Sequence, residues 1–186
     1  MDFESGKRQF LLKKDKSRKG SIDEPVKSLL DLLNSHKDYY TTSSCSGRIL
    51  LLAPSKVKKD TAYALVSHGA VDFSSVKKAL EESSETELWF RQEGFIVHTR
   101  CRTLEAAENL LMVGQSLGLK RSGIISTANT TVELVSTEHF DTIVKKAGKI
   151  LCSDEFLMVL AEEANIRMAG NTNKLRKLES KIKNMI

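Results

Sequence analysis

The stretch Thr86-Glu87-Leu88-Trp89-Phe90-Arg91-Gln92-Glu93-Gly94-Phe95-Ile96-Val97-His98-Thr99-Arg100-Cys101 holds two runs of strand-forming residues, 86–91 and 95–101, parted only by Gln92-Glu93-Gly94. A connection that short suits antiparallel strands, because a parallel pair needs a crossover of about a dozen residues or more. The pattern predicts a hairpin turning at Gly94 and speaks against a doubly wound parallel sheet.

Upstream of this stretch, residues 61–67 read as a strand ending at His68-Gly69, and residues 73–82 carry Val76, Ala79 and Leu80 at helical spacing. Residues 39–42 and 48–53 are β-like runs. They bracket Ser43-Ser44-Cys45-Ser46-Gly47, five small residues expected to form a loop with an accessible backbone. Asp23-Glu24-Pro25 reads as a helix start capped by Asp23, and Val26, Leu29, Leu30 and Leu33 mark one buried face as far as Leu33. Residues 3–12 suit a short helix and residues 54–60 an exposed basic loop. Downstream, Thr103 caps a helix carrying Leu104, Ala107, Leu110 and Leu111 to a stop at Gly118. Residues 124–126 and 131–135 form a second expected hairpin, turning at Ala128-Asn129. Residues 153–185 are helical in pattern, with a break expected at Gly170-Asn171. Strands and helices mixed without a βαβ rhythm predict the α+β class, not a Rossmann fold. The expectation is a single domain over residues 1–186, with a mixed, largely antiparallel sheet packed by helices and a long C-terminal helical region.

The chain has 186 residues, 40% apolar and 28% charged, enough to bury a core without staples. No uncharged apolar run approaches the ~20 residues of a membrane span, and the mixed-charge start, Met1-Asp2-Phe3-Glu4, lacks a signal-peptide pattern. Three widely spaced cysteines, Cys45, Cys101 and Cys152, give no disulfide framework and point to a reducing, cytoplasmic setting. Charge is uneven. Residues 1–20 hold seven basic and three acidic side chains and residues 166–186 six and one, while the middle is net acidic. Basic ends of this kind suit phosphate contacts, and Lys13, Lys14, Lys16, Arg18, Lys19, Lys174, Arg176 and Lys177 are the candidates.

No Gly-x-Gly-x-x-Gly or phosphate loop is present, which disfavours a Rossmann-type cofactor site. His98 and Cys101 have a spacing of three, and Cys45 with His68 would complete four ligands, but on a strand positions 98 and 101 face opposite sides, so no metal site is expected. Cys45 in its small-residue loop has the exposure a thiol nucleophile requires, with His68 or His98 as the base behind it, yet no third residue is evident to orient that base. Cys101 and Cys152 read as small buried hydrophobes, and Trp89 as a core residue before a base-stacking one.

Ser43-Ser44-Cys45-Ser46-Gly47-Arg48, preceded by Asp15, Ser17, Lys19, Gly20 and Asp23, resembles the tRNA wybutosine-synthesising protein 3 family of tRNA methyltransferases. The likeness continues through Val66-Ser67-His68, Phe95-Ile96-Val97-His98 with Cys101, Ser122-Gly123-Ile124, Asn165 and Arg176, and so spans most of the chain. It departs at Lys59-Asp60-Thr61-Ala62-Tyr63 and at Phe95-Ile96. The resemblance implies methyl transfer from S-adenosylmethionine to a ring nitrogen of the tricyclic wyosine-type base beside the anticodon of phenylalanine tRNA. It implies no metal, and it admits other wybutosine-pathway enzymes as partners. Such chemistry needs a donor held in line with the nitrogen and a base for its proton. His98 is the first candidate base, with Asp15 and His68 next. Ser44, Cys45, Ser46, Gly47, Ser122 and Gly123 are the expected donor contacts, and Arg48, Lys16, Ser17, Lys19 and Arg176 the substrate contacts. The alternative is a non-catalytic RNA-binding module using the same basic ends.

Overall fold

In a computed structural model that describes residues 2–12, 21–55, 57 and 61–186, the elements run α1 (Phe3–Leu12), α2 (Glu24–Ser35), β1 (Tyr39–Cys45), β2 (Arg48–Ala53), β3 (Ala62–Ser67), α3 (Phe73–Glu82), β4 (Leu88–Glu93), β5 (Ile96–Cys101), α4 (Leu104–Ser116), β6 (Gly123–Ser126), β7 (Thr131–Val135), β8 (Phe140–Lys146), β9 (Lys149–Ile150) and α5 (Asp154–Met185). The α+β class holds, and every strand pairing among the described residues is antiparallel. The strands divide between two sheets, ordered β1-β5-β7-β6 and β3-β2-β4-β8-β9. The chain forms two compact units, one of Met1–Ser46, Phe95–Thr137 and Thr172–Ile186, the other of Gly47–Gly94 and Glu138–Asn171.

In the first unit, Val26, Leu29, Leu30 and Leu33 of α2 recur at helical spacing and are buried against Val97 and Cys101 of β5, Val132 and Leu134 of β7, and Leu110 of α4. Each fully buried leucine contributes roughly 1.5–3 kcal/mol relative to leaving it exposed. Leu175, Leu178 and Ile182 of α5 complete this core. Thr103 caps α4 as expected, its hydroxyl accepting from the Ala106 amide at 3.1 Å. The first turn of α2 holds Pro25 as expected, but Asp23 does not cap the helix with its side chain, and α2 runs on to Ser35. The expected loop at Ser43-Ser44-Cys45 is instead strand. These residues pair with His98, Val97 and Ile96 of β5, because their backbone groups find partners in the ladder.

The expected hairpin at Gly94 does not form: β5 pairs with β1 and β7, whereas β4 pairs with β2 and β8. A short connection favours antiparallel neighbours but does not oblige them when each run finds longer ladders elsewhere. The second expected hairpin, β6 with β7, does form, with Thr130 at a positive φ of 45° in its turn.

In the second unit, Val76 and Leu80 of α3 and Leu157, Leu160, Ala161 and Ala164 of α5 pack on Ile49, Leu51, Leu88, Phe90 and Val144 of the five-stranded sheet. The β8–β9 hairpin was not foreseen. Its signal is Ala147-Gly148, both at positive φ (49° and 76°), the requirement of a tight two-residue hairpin turn. The break expected at Gly170-Asn171 is absent, and α5 continues through both residues with Asn171 fully buried. A helical glycine costs only about 1 kcal/mol, which packing along a long helix outweighs. Among the described residues no helix is long and apolar enough to cross a membrane.

Candidate functional site

In the first unit, β5 alternates. Val97, Thr99 and Cys101 point into the core, while Ile96, His98 and Arg100 take the opposite face. His98 and Cys101 therefore face opposite ways. Burial pushes the Cys101 thiol up to about 12, which keeps it an unreactive core group, and burial also raises that of Cys152.

On the face that carries His98, three side chains stand in one row across three strands. Ser43 lies directly opposite His98, and His98 directly opposite Glu133. Directly opposed residues in an antiparallel ladder hold their Cβ atoms ~4.5–5.5 Å apart, so short polar side chains can meet. Here Ser43 Oγ is 2.9 Å from His98 Nδ1, and His98 Nε2 is 2.8 Å from Glu133 Oε2. An ionised carboxylate can only accept, so Nε2 carries the proton and the Nδ1 lone pair of the neutral ring faces the serine hydroxyl. A bulge between Thr41 and Ser43 sets this register. Thr41 opposes Thr99, so without the extra residue Thr42 would stand opposite His98 in place of Ser43.

The remaining predicted residues of the first unit are spread more widely. Asp23 is buried, and its carboxylate accepts from both the amide (2.9 Å) and the hydroxyl (3.3 Å) of Ser46. Ser44 opposes Val97 and Cys45 opposes Ile96, so their side chains point to opposite faces of the sheet. Ser122 accepts at its hydroxyl from the Val135 amide at 3.0 Å, which closes the end of β7. Gly123 stands opposite Glu133, and among the described residues nothing lies within 4 Å of where a Cβ would be. Arg176 and Lys177 are exposed on α5. Asp15, Lys16, Ser17 and Lys19 lie outside the described residues, as do Lys13, Lys14 and Arg18.

The second unit holds the others. Gly47 has φ of 98°, and a Cβ there would meet the Glu93 carbonyl at 2.8 Å. Its own carbonyl lies 3.1 Å from His68 Nδ1, and since a carbonyl only accepts, His68 holds its proton at Nδ1. Arg48, expected as an anion contact, donates from Nε to Glu93 at 2.7 Å, and Arg91 links Glu93 to Asp141. Asn165 grips the Val71 backbone at both its amide (2.9 Å) and its carbonyl (2.8 Å). Trp89 is not in the core. It is half-buried, on the face opposite Leu88 and Phe90, and its indole donates to Glu87 at 2.8 Å.

The structure thus brings Ser43, His98 and Glu133 into hydrogen-bond contact, and sequence reasoning named only His98 as a site residue. The available signal was Glu133 at an outward position of an alternating run; nothing in the order of residues says which strand lies beside it.

The family model described as Methyltransferase TYW3 matches residues 5–184. The chain belongs to that methyltransferase family. A relative from Pyrococcus horikoshii, named tRNA(Phe) 7-((3-amino-3-carboxypropyl)-4-demethylwyosine(37)-N(4))-methyltransferase 1, is 37% identical, covering 97% of this chain and 95% of its own. A family member from Mus musculus, named tRNA wybutosine-synthesizing protein 3 homolog, is 36% identical, covering 94% of this chain and 70% of its own. Among solved structures, the PH1069 protein from Pyrococcus horikoshii superposes with a TM-score of 0.87 at 36% identity, covering 97% of this chain and 96% of that one.

Proposed function

We propose that this chain transfers a methyl group from S-adenosylmethionine to a ring nitrogen of the wyosine-type base in phenylalanine tRNA. The observation that carries the reading is the near full-length likeness to the Pyrococcus horikoshii protein whose name states an N(4)-methylation of that kind. Because that name places a 3-amino-3-carboxypropyl group on the base, an enzyme that installs the group acts earlier on the same tRNA, and it is the class of pathway partner to seek.

His98 is the proton acceptor in this reading. Its half-buried ring is held from both sides, with its lone pair at Nδ1. A positioned base of this kind contributes on the order of 10²- to 10⁴-fold to a rate. His68 is the next candidate, with Nδ1 as donor to Gly47 and Nε2 as the atom that would take a proton.

The residues fit the methyl donor in part. Ser46 and Ser122 use their hydroxyls inside the protein, as bonds to Asp23 and Val135. Ser44 turns its hydroxyl to the face opposite His98, whereas Cys45 and Gly123 lie on the His98 face, Gly123 beside Glu133 with no atom of the described residues within 4 Å of where a Cβ would lie. Cys45 and Gly123 would hold the donor there, and Arg176 with the basic segments of both ends would hold the tRNA backbone. S-adenosylmethionine supplies, when bound, a methyl group on a positively charged sulfur.

Incubation with isotopically labelled donor and tRNA from cells lacking this step, followed by digestion and mass analysis, tests the reading. The expected result is one labelled methyl group on the tricyclic nucleoside. Binding of the tRNA with no methyl transfer would instead make the chain a non-catalytic RNA-binding module.

A further inference from the structure

We infer that Glu133 is a positioning residue for His98, and that Ser43 is the proton carrier between His98 and the substrate nitrogen. The inference rests on the proposed function, in which His98 takes the ring proton, and adds the two side chains that make it able to do so.

The geometry assigns each group its part. Glu133 reaches Nε2 at 2.8 Å, and as an acceptor it holds the proton there, which leaves the basic lone pair at Nδ1. The other in-register partner of Glu133 is Gly123, which brings no side chain, so the neighbour across the row for that carboxylate is the imidazole. Nδ1 is in turn 2.9 Å from Ser43 Oγ, and Ser43 is exposed whereas His98 is half-buried. A substrate approaching this face meets the serine oxygen before the ring. The Thr41/Ser43 bulge places the serine there, and the Thr42 hydroxyl donates to the His98 carbonyl at 3.4 Å, across the same bulge. Bulges recur beside functional sites because they re-aim a side chain without breaking the sheet.

The proton movement balances. The substrate's ring N–H proton passes to Ser43 Oγ while the serine's own proton passes to His98 Nδ1. The N–H electron pair stays on the ring nitrogen, and that nitrogen bonds the methyl carbon as the sulfur–carbon pair stays on sulfur. Serine ends with the one proton it began with. The imidazolium left behind faces the Glu133 carboxylate until it releases its proton to water.

Nitrogen NMR of the full chain with ¹⁵N-labelled histidine, joined to steady-state methylation of the tRNA, tests this. In the wild type, neutral His98 is expected to carry its proton at Nε2. In Glu133→Gln the Nε2 preference is expected to disappear, and kcat to fall on the order of tenfold to 100-fold with KM for tRNA within about twofold. Ser43→Ala should lower kcat in the same way, and Ser43→Thr, which keeps the hydroxyl, should recover most of the loss. A wild-type proton at Nδ1, or an unchanged kcat in Glu133→Gln, would overturn the relay. If His98→Ala is inactive while Glu133→Gln and Ser43→Ala are not, the relay alone fails. A fully active His98→Ala would remove the underlying role of His98 as well.

Discussion

Cys101 and Tyr39 pair across β1 and β5, and burial pushes the thiol from 9.0 up to about 12 and the phenol from 10.0 up to about 12. Above pH 9 the unfolded chain releases protons that the folded chain keeps, so stability that is fully present below that pH is lost as it climbs toward 12. A urea midpoint that falls across this window, and falls less in Cys101→Ala, is the expected outcome. The same burial means that thiol reagents reach Cys101 only after unfolding. Asp23 gives a second residue-scale prediction. Its buried carboxylate takes two hydrogen bonds from Ser46, so Asp23→Ala should cost about 2 kcal/mol in denaturant unfolding with an unchanged slope. The sequence read Asp23 as the side-chain cap of α2, and the structure turns its carboxylate to Ser46 instead, because a cap is a local bond legible along the chain whereas the bond to Ser46 joins residues 23 apart. His98 was legible as a candidate for the same reason that Glu133 was not: a histidine stands out in a strand by its chemistry, a glutamate only by its neighbours.

At the scale of elements, runs of strand and helix formers were readable, since they follow local periodicity. Pairing was readable only where the turn itself dictates it. The β6–β7 hairpin follows from its sequence, while Gly94 joins strands of different sheets. The small-residue run at Ser43 joined a ladder because small side chains do not oppose strand pairing when a partner strand is present. Two glycines, one in each unit, test elements that carry residues singled out in the sequence. Gly47→Ala places a Cβ at 2.8 Å from a backbone carbonyl and keeps a φ of 98°, so a loss of about 1–3 kcal/mol in unfolding free energy is expected. Gly123→Leu enters open space beside Glu133. Its melting temperature should stay close to wild type, whereas binding of the methyl donor, measured by calorimetry, should weaken if that face holds it. Unchanged donor affinity would move the donor away from Gly123.

At the scale of the whole molecule, the unevenness of charge was plain from composition, and Arg176 and Lys177 stand exposed on α5. Each phosphate contact contributes somewhat under one unit to the slope of log affinity on log salt. Arg176→Glu with Lys177→Glu should therefore flatten that slope for tRNA by one to two units, and an unchanged slope would take this end of α5 out of the interface. Division of the strands between two sheets was beyond the sequence, because the choice between two antiparallel partners rests on contacts far apart along the chain. Family membership and the relatives' names bring the reaction within reach, and the chain's own contribution reduces to whether the imidazole on β5 takes a proton. Single-turnover methylation by His98→Ala, on tRNA lacking the modification and at saturating donor, measures that directly. A rate lower by on the order of 100-fold or more, with tRNA affinity unchanged, is the predicted result, and a rate near that of the wild type would contradict it.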